Sequence, residues 1–96
     1  MAFVYVLRCA DDSLYVGHTD NLDAREHDHN EGRGSKYTAR RRPVRIVYAE
    51  EFKSELDAIE RERQLKGWTT AKKEALMGGD ISRLHSLSRR RRSPRR

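Results

Sequence analysis

The chain has 96 residues, 35% of them hydrophobic and 38% charged, which predicts one domain with a modest core beneath a heavily charged surface. Its longest apolar stretch, Phe3 to Leu7, is too short to span a bilayer. No basic-then-apolar leader opens it, and its single cysteine, Cys9, excludes a disulfide framework, so the expectation is a cytoplasmic protein with no membrane partner. The net charge of +6 resides in the six arginines of "SRRRRSPRR", since residues 1–88 balance fifteen bases against fifteen acids.

Taken in chain order, "FVYVLRCADDSLYVGHTDNL" holds two short runs rich in β-branched and aromatic residues, separated by small and acidic residues that suit a tight turn. A β-hairpin is predicted. Thr19 or Asp20 is a suitable N-cap for the helix that follows, in which Leu22, Arg25, Glu26 and His29 recur at helical spacing up to about Asn30. "EGRGS" breaks that helix, and Lys36 to Pro43 is expected to form a basic loop. Pro43 cannot donate to a sheet ladder, so a third strand begins after it, from Val44 through Tyr48 toward Phe52.

Ser54 with Asp57 resembles a capping box, opening a helix whose apolar stripe is Ala58, Ile59 and Leu65 and which Gly67 ends. A last helix, "TAKKEALM", stops at Gly78-Gly79, and "DISRLHSL" can add a further turn or two. The predicted order is β-β-α-β-α-α. The fold class is α/β in the mixed α+β sense, a small three-stranded antiparallel sheet flanked by helices across residues 1–87. Residues 88–96, arginine with serine and proline, have nothing apolar to bury and are expected to be a disordered tail. Within the body, Glu31 to Tyr48 gathers Arg33, Lys36, Arg40, Arg41, Arg42 and Arg45 against one acid, a basic patch suited to a polyanion.

Tyr5 in "VYV", then Tyr15-Val16-Gly17, Arg25 and, on the later helix, Glu62 form a pattern that resembles the GIY-YIG nuclease family. "DHNEGRGSKYT", "RRPVRIVYAEEF" and "RERQLKGWTTAKKEAL" are similar to segments of its small, free-standing bacterial members. The resemblance covers residues 2–87, with Phe3 standing where the first motif has its glycine. Each residue has an ordinary reading by itself: strand aromatics for Tyr5 and Tyr15, solvated helix charges for Arg25 and Glu62. It is their joint spacing that carries the resemblance.

What the resemblance implies is a metal-dependent endonuclease that hydrolyses DNA, structure-selective and at work in repair or processing. Mg²⁺, or Mn²⁺, would sit on Glu62, since Mg²⁺ takes one or two carboxylates and completes its shell with phosphate and water. Tyr5 is then the base toward water, able to act only if nearby cations favour its phenolate. Tyr15 lies on the same face, and Arg25 supplies a planar, permanently charged group for phosphate. His29, one turn beyond Arg25, and His18, where relatives often carry a lysine, are both candidates to assist Tyr5. Glu60 and His27 are expected to be surface residues. The alternatives are a binding module without catalysis, or a nuclease acting on single-stranded DNA or RNA. A monomer is expected, with room for a separate targeting protein.

Overall fold

A computed structural model of the protein describes residues 1–79; the anticipated turn at "DISRLHSL" and the arginine-rich tail lie outside the described residues. Strands β1 (Ala2–Arg8), β2 (Leu14–Thr19) and β3 (Arg45–Phe52) form one antiparallel sheet in the order β2-β1-β3. Helices α1 (Leu22–Asn30), α2 (Lys36–Ala39) and α3 (Glu55–Lys66) accompany it, and α4 (Thr70–Met77) follows in the chain. The predicted mixed fold with its three-stranded sheet is therefore the observed one. The chain divides into two compact units, Met1–Lys66 and a second that begins at Gly67.

Central strand β1 carries the core. Val4, Tyr5, Val6 and Leu7 are all buried in succession, and side chains alternate in direction along a strand, so both faces of β1 are covered. Tyr5, Leu7, Cys9 and Val44 form a cluster against which Tyr15, Leu22 and Ile46 pack. At the hairpin turn, Ser13 donates to Asp11 Oδ1 through both its backbone N–H (3.1 Å) and its hydroxyl (2.6 Å), while Asp12 takes a positive φ of 71°. A register shift between Val6 and Leu7 in the β1–β3 pairing leaves Tyr48 opposite Val6 and Ile46 opposite Leu7.

The first helix starts later than predicted. Thr19 is the last residue of β2, and Asn21 is the N-cap, its side chain accepting from Ala24 N–H at 3.0 Å. Thr19 serves one step earlier, its hydroxyl accepting from Asn21 N–H. Polar bonds tie α1 to its surroundings more than an apolar stripe does. Glu26 accepts from Ile46 N–H at 2.7 Å, and Asn30 both accepts from Val44 N–H (2.7 Å) and donates to Val44 C=O (2.9 Å).

The segment expected to be a basic loop contains helix α2. Ser35 caps it by accepting from Thr38 N–H at 3.1 Å, and Thr38 is fully buried. One turn is too short for hydrophobic periodicity to announce, so the cap was its signature. On α3, Ser54 accepts from Asp57 N–H as the capping pattern predicted, and Ala58 and Leu65 are buried. Arg61 grips Glu50 of β3 with two hydrogen bonds, of 2.8 and 3.0 Å, and Tyr48 donates to the same carboxylate. The bound Arg61 holds the Glu50 carboxyl below the usual range, whereas burial and the adjoining carboxylate push the Tyr48 phenol up to about 12. This cluster fixes α3 on the sheet one residue before Glu62. In the second unit, Thr69 caps α4 and the Lys72 ammonium lies 4.2 Å from the Trp68 ring centroid.

Candidate active site

Pairing β1 with β2 sets Tyr5 directly across from Gly17. A Cβ at position 17 would fall on the Tyr5 hydroxyl and ring carbon, so only glycine leaves room for the phenol. Helix α1 then presents Arg25 and His29, four residues apart on one face, to that phenol. Tyr5 Oη and His29 Nε2 are 2.8 Å apart, and Arg25 donates from Nε to Tyr5 Oη at 3.4 Å. His29 is itself fully buried, its Nδ1 2.7 Å from Thr38 Oγ1. Gly34 does for His29 what Gly17 does for Tyr5, because a Cβ there would land on the imidazole.

Burial outweighs Arg25 at Tyr5. Desolvation raises the phenol's pKa, the Arg25 hydrogen bond and charge work against it, and the net shift is upward. The resting side chain is thus a neutral phenol, whereas the sequence left open a phenolate favoured by cations. Burial lowers the pKa of His29, and Arg25 lowers it further, against a smaller opposing pull from Asp28, so the imidazole rests neutral.

Glu62 projects from α3 and is held on both oxygens. His18 donates from Nδ1 to Oε1 at 2.5 Å, and Lys66, one turn along α3, reaches Oε2 at 2.8 Å. Partial burial works to raise the Glu62 pKa, but its Lys66 and His18 partners together outweigh that and hold the carboxyl below the usual range. Tyr15 joins the two groups: its ring meets the His29 ring edge-on at 5.3 Å, and the Lys66 ammonium lies 5.7 Å from its centroid. His18 and Arg25 also share an open cleft of about 410 Å³, lined besides by Thr19, Asp20, Lys53 and Glu55.

Six predicted residues are thereby brought together from four elements: Tyr5, Tyr15, His18, Arg25, His29 and Glu62. The two histidines separate, His29 bonded to Tyr5 and His18 to Glu62. His27 and Glu60 are exposed. Sequence reasoning missed Thr38, Ser35 and Lys66. The first two carried a signal in the S-x-x-T spacing of a cap, and Lys66 in its i,i+4 relation to Glu62.

The basic patch divides. Arg33 is paired with Asp28 at 2.9 Å, Arg41 with Asp11 at 3.0 Å and with the Tyr37 ring at 3.8 Å, and Arg42 donates to the carbonyls of Ala39 and Asn30. Lys36, Arg40 and Arg45 are exposed and make no ion pair or side-chain hydrogen bond among the described residues.

The donor set at Glu62 suits a hard divalent ion such as Mg²⁺, which can make do with one carboxylate if water and phosphate fill its other positions. Among the described residues no group of three or more His, Cys, Asp or Glu side chains is placed to hold a metal ion.

A fold of this order that gathers two tyrosines, an arginine and a glutamate from four elements defines a class. The GIY-YIG catalytic domain model matches residues 1–75, and the chain belongs to the GIY-YIG family, a family of nucleases that generally work with divalent metals. It is 45% identical over 78 residues to a UPF0213 protein of Natronomonas pharaonis, covering 81% of this chain and 92% of that one. A UPF0213 protein of Staphylococcus aureus is 44% identical over 75 residues, covering 78% and 92%. The solution NMR structure of a UPF0213 protein from Bacillus halodurans superposes with a TM-score of 0.53 at 39% identity, covering 81% of this chain and 84% of that one. No helix among the described residues is long and apolar enough to cross a membrane.

Proposed function

We propose that this protein is a metal-dependent endonuclease that hydrolyses DNA phosphodiester bonds, selects its substrate by structure, and serves DNA repair or processing. The observation that supports it most is the Tyr5 phenol, largely buried yet bonded at once to an imidazole and a guanidinium. A buried hydroxyl needs one partner for stability; a base-in-waiting needs a proton acceptor and a cation.

In this reading His29 Nε2 takes the phenol proton, Arg25 stabilises the phenolate, and the phenolate takes a proton from water as the water oxygen attacks phosphorus. The P–O bond opposite breaks and its electron pair leaves on the departing oxygen. Glu62, with His18 fixing its orientation, would hold the divalent ion, which when bound relieves charge on the phosphoryl oxygens. Tyr15 and Lys66 border the place where the phosphate would lie. With so small a body there is little surface to read base edges, so shape and backbone dominate recognition.

The test is incubation of the purified protein with duplex, single-stranded, flap and junction DNAs and with RNA, in Mg²⁺, Mn²⁺ or EDTA. Cleavage of a branched DNA with either metal and none in EDTA is expected. Cleavage that survives EDTA would remove the metal, and binding with no cleavage of any substrate would reduce the protein to a nucleic-acid-binding module.

A further inference from the structure

The donors and acceptors around Tyr5 leave one consistent direction for the protons, and Arg25 sets it. A guanidinium donates and never accepts, so Tyr5 Oη must accept from Arg25 Nε. The phenol's own proton then needs an acceptor, and His29 Nε2 at 2.8 Å offers a lone pair only when the proton of the neutral imidazole is on Nδ1. That Nδ1–H needs an acceptor in turn, which is Thr38 Oγ1 at 2.7 Å. Thr38 donates onward to Ser35 C=O at 3.4 Å, and the Ser35 hydroxyl lies 3.0 Å from Thr38 Oγ1.

The reversed arrangement is worse. A proton on Nε2 would aim two donors at the phenol oxygen, and the phenol proton would have no acceptor among the bonds of the described residues. In the direction set by Arg25 every member is served, and no buried side-chain nitrogen or oxygen among the described residues lacks a partner. An unserved buried donor keeps its full desolvation penalty, which is enough to choose between tautomers.

We infer that Thr38 is a positioning residue: its hydroxyl holds His29 as the Nδ1–H tautomer and so presents the Nε2 lone pair to Tyr5. Its kinetic consequence rests on the nuclease reading above; the tautomer does not. Helix α2 would then exist to seat one hydroxyl under the imidazole, which explains a fully buried threonine inside a stretch of surface arginines.

The experiment has two arms on the full chain, comparing wild type with Thr38→Val, which nearly keeps the volume, and Thr38→Ser, which keeps the hydroxyl. Long-range ¹H–¹⁵N correlations read which His29 nitrogen is protonated, and single-turnover cleavage at saturating DNA reads the consequence. Wild type should show a protonated Nδ1. Thr38→Val should lose that preference and slow by about 10–100-fold, the usual effect of removing a partner that orients a functional histidine, with DNA affinity unchanged. Thr38→Ser should restore both. A wild-type His29 protonated on Nε2 overturns the inference, as does a folded Thr38→Val protein with unchanged tautomer or unchanged rate. Should Thr38→Val unfold, the wild-type and Thr38→Ser spectra still decide it. Absence of any cleavage by wild type sinks the nuclease reading and leaves the tautomer arm to judge Thr38.

Discussion

Tyr5, His29 and Thr38 are each shut away from solvent, whereas Glu62 keeps 15% of its side chain exposed and its partner Lys66 keeps 50%. The two parts of the site meet at Tyr15, yet they follow opposite rules. In the buried part each polar group has partners it cannot exchange, and losing one would leave a donor or acceptor stranded at about 1–3 kcal/mol. In the open part only Lys66 is half exposed, and water screens its pair with the partly buried Glu62, so a cation can displace the ammonium at little cost. The difference teaches which half arrives preorganised and which waits for its ligand.

The largest expected effect falls on the open part. Glu62→Ala should abolish cleavage while DNA affinity stays nearly intact, because removing an acid does not weaken attraction to a polyanion. Gel-shift titration beside a cleavage assay reads both, and a Glu62→Ala protein with full activity in Mg²⁺ would empty the metal assignment.

In the buried part, Tyr5→Phe should cost about 10²–10⁴-fold in single-turnover rate, the range of a general acid–base group, and Tyr15→Phe much less. Both changes keep the ring and its packing, so equal small losses in folded proteins would return the tyrosines to ordinary strand aromatics. The same part sets the acid limb of the pH–rate profile. His29 must be neutral to accept a proton, and burial with Arg25 on its own helix lowers its pKa below the ordinary 6.5, Asp28 opposing weakly, with the rings of Tyr5 and Tyr15 packed edge-on against it. Activity should therefore persist below pH 6.5. Stability follows the same sign: with the folded-state value depressed, the unfolded chain binds the proton first, and stability falls as the pH drops from about 6.5 toward the folded value.

Packing sharpens the contrast further. Gly17→Ala drives a methyl into a Tyr5 ring that His29 and Arg25 pin in place, and should destabilise by about 1–3 kcal/mol as other overpacked sites do. Lys66→Met on the open side should change stability by less than about 1 kcal/mol. Urea midpoints compare the two; a Gly17→Ala protein as stable as wild type would mean the phenol is free to move.

How much of this was legible in the sequence depended on range. The hairpin showed because β-branched and aromatic runs flank small acidic turn residues, whereas Tyr5, Tyr15, Arg25 and Glu62 showed as a set only through their resemblance to the GIY-YIG family, since no local period links residues on four separate elements. The choice between His18 and His29 was not legible, since both lie within reach of the hairpin and only the tertiary register gives each its partner. Helix α1 was misplaced at its start because Thr19, Asp20 and Asn21 are all competent caps and the strand claimed the first. Thr38 stayed hidden because burial of a polar side chain depends on a partner 9 residues away.

Charge counting at Glu31 to Tyr48 does not show which of its six bases are already partnered. Six bases against one local acid read as one patch, but three of them are braces whose partners, Asp11 and Asp28 and the carbonyls of Asn30 and Ala39, mostly lie outside that segment. Lys36, Arg40 and Arg45 make no ion pair or side-chain hydrogen bond among the described residues. Neutralising those three together should reduce the slope of log affinity against log salt by up to about 0.9 for each duplex phosphate they would otherwise neutralise, with stability changed little. Neutralising Arg33, Arg41 and Arg42 should do the reverse, lowering the urea midpoint while the slope moves less, because a guanidinium already committed to a carboxylate or carbonyl releases few counterions. The two triple variants carry the same change in net charge, so a common electrostatic effect cancels between them. Equal slopes would show that the braces open onto DNA and that all six bases act as one patch.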